Sequence, residues 1–214
     1  MYVFIVGKFF VLYLTSISKN LMRFFSCLGA LFLILLPPAV GGGAAWGQQN
    51  GLYAVSKGSV TFESEAPKEL ISARSEALTG LVDAEKKTFI FRIPINSFQG
   101  FNSPLQREHF NENYMESRVF PEASFSGKIM EAVPVGVPGT YPVRAKGRLT
   151  VHGLSVERLI PVTVEVQNAQ RWVVTADFKV PLVDHQIKIP RVVYEKLASE
   201  IKVHIDAALD LRKR

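Results

Sequence analysis

Three stretches of this chain alternate apolar and polar residues with a period of two. Little other than a β-strand with one dry and one wet face satisfies that pattern. In Tyr141–Val151 the apolar set is Tyr141, Val143, Ala145, Gly147, Leu149 and Val151, interleaved with Arg144, Lys146, Arg148 and Thr150. Trp172, Val174, Ala176, Phe178 and Val180 alternate with Val173, Thr175, Asp177 and Lys179, and Ile201, Val203, Ile205, Ala207 and Leu209 alternate with Lys202, His204, Asp206 and Ala208. Less regular runs at Ser59–Glu65, Ile71–Val82, Thr88–Ile95, Ala123–Glu131 and Glu157–Gln167 read as further strands. His152-Gly153 is a tight hairpin signal and Asn168-Ala169-Gln170 a short polar connection.

One long interruption separates Thr88–Ile95 from Ala123–Glu131. Within it Ser103-Pro104-Leu105-Gln106 matches a capping box with proline at the first helical position, which predicts a short helix over Pro104–Glu116. A second short helix is expected from Pro190 through Leu197. The fold class is therefore all-β: one antiparallel barrel of about eight strands with one or two short helices, a closure that removes exposed sheet edges. An outer-membrane barrel is a poor fit, because the polar face is charged and the chain ends Leu211-Arg212-Lys213-Arg214.

A barrel of about eight strands is filled by side chains or holds one small ligand. Phe89, Phe91, Ile93, Phe125, Leu149 and Val174 are large inward residues, while Ala145, Gly147, Ala176 and Ala207 are small. Small residues facing large ones across a solid core fit this pattern, and so does a lined apolar cavity. In the second case Gly147 and Ala176 are wall positions, and leucine at either is expected to exclude a ligand while leaving the barrel folded. Phe98, Phe101, Leu105, Phe110, Tyr114 and Phe120 gather around the expected helix, as a lid or as a plug of core.

The first 47 residues stand apart. Phe24–Leu36 is an apolar run too short to span a bilayer, preceded by Arg23 and followed by Pro37-Pro38 and Gly41-Gly42-Gly43. Ala45-Trp46-Gly47 supplies small residues for cleavage before Gln48. Residues 1–47 thus read as a leader, with translation starting at Met22, and 48–214 as the exported domain. The leader also holds Cys27, the only cysteine, and Lys8, Lys19 and Arg23 without an acid, which is half of the +6 formal charge. The exported domain carries no disulfide, no thiolate site and no run of charge suited to nucleic acid.

The ordered motifs resemble the YceI-like family. Phe98–Lys128, with His109-Phe110 and then Phe120-Pro121-Glu122-Ala123-Ser124-Phe125, is similar to that family's central signature. Gly147-Arg148-Leu149-Thr150-Val151-His152-Gly153 with Ile160-Pro161-Val162-Thr163-Val164 resembles its hairpin, and Phe178–Ile189 and Glu200–Leu209 its closing segments. The family's first strand usually holds a histidine that Ser59–Ala66 lacks. The resemblance implies a lipocalin-like barrel, periplasmic, holding a polyisoprenoid or similar long-chain amphiphile in an elongated apolar interior.

Chemistry of other kinds finds little support. No G-x-S-x-G elbow or phosphate-binding glycine motif occurs in the exported domain, and no HxxxH or HxH pair suggests a metal. His152 in its turn and His204 on a wet face are expected in solvent. His109, Asn111 and Asn113 fit two roles: capping of helix and strand ends, or orientation of a ligand head group. The expectations are a non-enzymatic lipid carrier or store with no cofactor beyond a bound isoprenoid or other long-chain lipid. The competing reading is a solid-core envelope module acting through its surface. A membrane protein or membrane surface is a candidate partner, and a dimer is compatible with the sequence. Sequencing of the exported protein's N-terminus should begin at Gln48, and peptides from residues 1–21 should be absent from the cell; their detection overturns the Met22 start.

Overall fold

A computed structural model describes residues 51–212. The expected leader, the start at Met22 and the cleavage before Gln48 lie outside them. Nine strands follow in order: β1 (Leu52–Ala66), β2 (Glu69–Ser75), β3 (Thr79–Asp83), β4 (Thr88–Pro94), β5 (Glu122–Ile129), β6 (Gly139–Val151), β7 (Leu154–Asn168), β8 (Arg171–Pro181) and β9 (Glu200–Leu211). Every pairing is antiparallel, and β1 closes the ring on β9 from Tyr53–Leu211 to Glu63–Lys202. Nine strands make eight places in that ring. β3 pairs with the first residues of β1 (Leu52–Asp83 to Ala54–Leu81), and β2 takes the same flank further along (Val60–Ser75 to Ala66–Glu69).

The expected single run Ile71–Val82 is thus two strands. Ser75 ends the first, its Oγ accepting from Ala77 N at 3.2 Å and lying 2.6 Å from Ser97 Oγ. β1 is longer than its pattern suggests because an irregularity between Val55 and Lys57 shifts the inward phase. Tyr53 is buried before it, and Val60 and Ser64 after it. At the β6–β7 hairpin His152 and Gly153 both have positive φ (50° and 74°), as a type I′ turn requires.

Helix α1 (Pro104–His109) begins as expected. Ser103 Oγ accepts from Gln106 N at 3.1 Å, and Gln106 Oε1 accepts from Asn102 N at 3.1 Å. It continues as a wider π-turn over Phe110–Tyr114. The expected second helix shrinks to one 3₁₀ turn, Arg191–Val193. There Glu195 O accepts from Lys68 N of the β1–β2 turn at 2.8 Å, which ties the following residues to that turn in place of a helix.

The end of the barrel carrying the β3–β4 and β7–β8 turns is solid. Tyr53 and Trp172 stack with ring centres 4.3 Å apart, among Val164, Val166, Ala207 and Leu209, all at most 2% exposed. Small residues there make room for large ones. Gly147 serves a different purpose: it pairs with Gly127, and a Cβ on it would stand 2.2 Å from Ser126 O and 2.9 Å from Gly127 Cα. It is a close-approach glycine between β5 and β6, so the expectation that leucine at 147 leaves the barrel folded is corrected. Gly147→Ala should cost ~1–3 kcal/mol of stability, read as a lowered midpoint in denaturant unfolding. An unchanged midpoint contradicts the close approach.

Candidate functional site

The opposite end of the barrel is hollow. Pairing of β7 with β8 stops at Thr163–Thr175, so the first half of β7 and the last residues of β8 share no ladder. β2 and β4 likewise flank a break, and the interior widens where strands part. The resulting apolar cavity, about 520 Å³, is of the size that takes a ligand of drug-like dimensions.

Its wall is built from the ends of strands that converge here. β1 contributes Val60, Phe62 and Ser64; β4 and β5 contribute Phe91, Ile93, Ala123 and Phe125; β6 gives Leu149 and Val151. Phe178 and Val180 of β8 lie beside Ile201, Val203 and Ile205 of the neighbouring β9 on the same wall. The chain between β4 and β5 covers the top with Phe98, Phe101, Leu105, Phe110 and Tyr114. Phe62 anchors this cover, stacked on Phe110 at 5.3 Å (17° between planes) and against Phe98 and Phe101 at 5.3 and 5.9 Å. The aromatic group is thus both lid and core. Phe120 stands apart, edge-on to His152 at 4.7 Å.

Of the apolar wall residues expected from sequence, Phe91, Ile93, Phe98, Phe101, Leu105, Phe110, Tyr114, Phe125 and Leu149 line the cavity. Phe89, Ala145 and Val174 belong instead to the packed core, Phe89 lying behind the floor at 4.8 Å from Phe125. Ala176 is buried without reaching the cavity, and Gly147 is held against β5. The sequence reading missed Phe178, Val180, Ile201, Val203 and Ile205, although they belong to the same alternating sets. Strand direction was the available signal: a cover joining β4 to β5 sits over the end of β8 and the start of β9.

Polar groups are few and concentrated near the cover. Glu69 Oε1 accepts from Gln106 Nε2 at 2.7 Å, and Ser64 Oγ accepts from Ala198 N at 2.9 Å. His109 and Lys196 reach the wall without a side-chain partner among the described residues. Asn111 and Asn113 do not reach it. Asn111 lies on a separate cleft, its Nδ2 donating to Arg107 O at 2.9 Å, and Asn113 is exposed. Only His109 of the three head-group candidates adjoins the apolar space. Among the described residues no group of three His, Cys, Asp or Glu side chains is placed to hold a metal.

The gap between β7 and β8 is filled by a 3₁₀ turn, Leu182–His185, whose Leu182 lines the cavity with nearby Ile187. His185 is fully buried; its Nδ1 donates to Leu154 O at 3.2 Å, and Nε2 has no partner among the described residues. Arg158 and Asp184 form an ion pair beside it. His152, expected in solvent, is instead wedged in place: Nδ1 faces His185 O at 3.2 Å and Nε2 faces Glu116 Oε2 at 3.0 Å. The tight turn buries it because it packs on the chain leaving the cover. His204 is exposed as expected, with Nδ1 2.7 Å from Asp177 Oδ1.

Comparison with known proteins agrees with this architecture. Residues 47–209 match the family model of the YceI-like domain. No curated protein matches. Among solved structures, a polyisoprenoid binding domain from Saccharophagus degradans, implicated in plant cell wall breakdown, is similar at 14% identity and a TM-score of 0.62 over 75% of this chain and 98% of its own. BcnA of Burkholderia cenocepacia is similar at 16% identity and a TM-score of 0.58, over 71% of this chain and 95% of its own.

Acid should loosen the wall at His185. Burial holds its imidazole below the ordinary value, with the carbonyls of Leu154 and Val151 opposing that shift more weakly. The unfolded chain takes up a proton near pH 6.5 and the folded chain resists. Stability is therefore fully present above about pH 6.5 and is lost as pH falls through the window below it. Denaturant titrations at stepped pH should show this slope, and His185→Leu should abolish it. A wild-type midpoint that stays flat from pH 7 to 5 contradicts the assignment.

Proposed function

The chain belongs to the YceI-like domain family, and from that membership together with the cavity we propose that it is a non-catalytic carrier or store for a polyisoprenoid or similar long-chain lipid. One observation carries the reading: the hollow end of the barrel, an apolar space of about 520 Å³ roofed by Phe98, Phe101 and Phe110. A solid-core module has no use for such a space. Burying an apolar tail is favourable by about 2.5 kcal/mol for each ~100 Å² removed from water, before the cost of ordering the chain. His109 and Lys196, on the wall, are suited to orient the polar end of such a molecule. The apolar stretch Phe24–Leu36 supports an exported, periplasmic setting.

Organic extraction and mass spectrometry of natively purified protein should yield a stoichiometric long-chain lipid. Ala123→Phe and Val203→Phe each place an aromatic ring into the cavity, and both should lower the bound lipid at least ten-fold while keeping the β-sheet circular dichroism. Unchanged loading in both folded variants overturns the cavity assignment. A wild-type protein that is empty and takes up no added polyisoprenoid overturns the carrier reading.

A further inference from the structure

The segment from Ile189 to Leu197 turns two faces. Val193 and Leu197 line the cavity, with Lys196 at its rim. The residues on either side of Val193 face water: Val192 is 90% exposed and Tyr194 58%. Leu105, itself part of the wall, is 58% exposed. Backbone and side-chain contacts between Lys68 and Glu195 join this segment to the β1–β2 turn, so the pieces form one rim around the mouth.

Within Lys188–Leu197 the charge left without an ion pair among the described residues is positive, while Glu69 at the start of β2 keeps its negative charge. Glu195 is neutralised by Lys68, and Glu69 is hydrogen-bonded to Gln106. Glu108 borders the separate cleft beside α1, and Glu112 follows it on the exposed side of the π-turn. Lys188, Arg191 and Lys196 are exposed cations without an ion pair among the described residues. Scattered apolar residues on a surface are ordinary. Here the most exposed large apolar side chain lies on the outer face of the cavity wall, next to a tyrosine and between unpaired cations. Apolar residues that enter a headgroup layer, flanked by cations that meet anionic lipid, are the marks of an interfacial membrane site. Tyrosine favours that same layer.

We propose that this rim docks the barrel on an anionic lipid bilayer, with Val192, Tyr194 and Leu105 entering the headgroup layer and Lys188 and Arg191 meeting lipid phosphates. A long hydrocarbon tail then passes between membrane and cavity without crossing water. The value of docking rests on the lipid-carrier reading, but its test needs no cargo.

The full chain, in a Cys27→Ser background, carries an environment-sensitive fluorophore at Val192→Cys or, at the far end of the barrel, at Val135→Cys. Vesicles of phosphatidylcholine containing phosphatidylglycerol should blue-shift the probe at 192 and leave that at 135 unchanged, and salt should reverse the shift. Phosphatidylcholine alone should produce little shift. Lys188→Gln and Arg191→Gln should weaken the response about five-fold for each charge removed. An unmoved probe at 192, equal shifts at both sites or indifference to phosphatidylglycerol overturns the proposal. Absence of docking in a protein that loads lipid refutes the membrane site alone; an empty cavity beside a normal probe response refutes the carrier reading alone.

Discussion

Strands in a closed barrel must satisfy the hydrogen-bonding groups on both flanks, and at one end of this molecule two flanks have no strand to pair with. β7 and β8 part after Thr163–Thr175, and β2 takes over the flank of β1 that β3 occupies nearer the other end. An unpaired flank buried away from water is costly. The chain meets that demand with segments that are not strands. The turn Leu182–His185 fills one gap, and the stretch carrying α1 covers the other through Arg74–Gln99 backbone bonds and Asn102 Nδ2 donating to Leu70 O at 2.9 Å. Short turns and a helix fill less of the interior than a ladder of strands would. The cavity is the volume left over.

The same sheet therefore holds two interiors. Near the β7–β8 turn all eight places are paired, and Tyr53 and Trp172 fill the lumen between small neighbours such as Ala145 and Ala207. Towards the cover the side chains leave an apolar cavity of about 520 Å³ between them. Packing in the filled end anchors the strands, so the hollow end does not have to supply its own stability. That division is consistent with a protein whose binding space is preformed.

Much of this was legible in the sequence. Alternation in β6, β8 and β9 fixed which residues face inward, and the capping box located α1. What alternation does not encode is depth along the barrel. Ala176 and Phe178 are equally inward by pattern, yet one is packed and the other lines the cavity. Gly147 illustrates a second limit: a small inward residue signals open volume or a close approach of two backbones, and only the facing Gly127 distinguishes them. The first half of β1 escaped notice because the irregularity at Val55–Lys57 reverses the phase that makes a strand recognisable. The second expected helix failed for a tertiary reason, the hold of Lys68 on Glu195. His152 was misplaced because a turn residue was assumed to face water, whereas Glu116 and His185, remote in sequence, meet it there.

His152 touches both closures at once. One ring nitrogen faces Glu116, where the chain leaves the cover, and the other faces the backbone of His185, in the turn that fills the gap between β7 and β8. A rigid two-residue hairpin thus works as a shared latch for two doors on different sides of the same room. To displace either closure is to disturb a contact of the same imidazole ring, so the hairpin ties the two together mechanically.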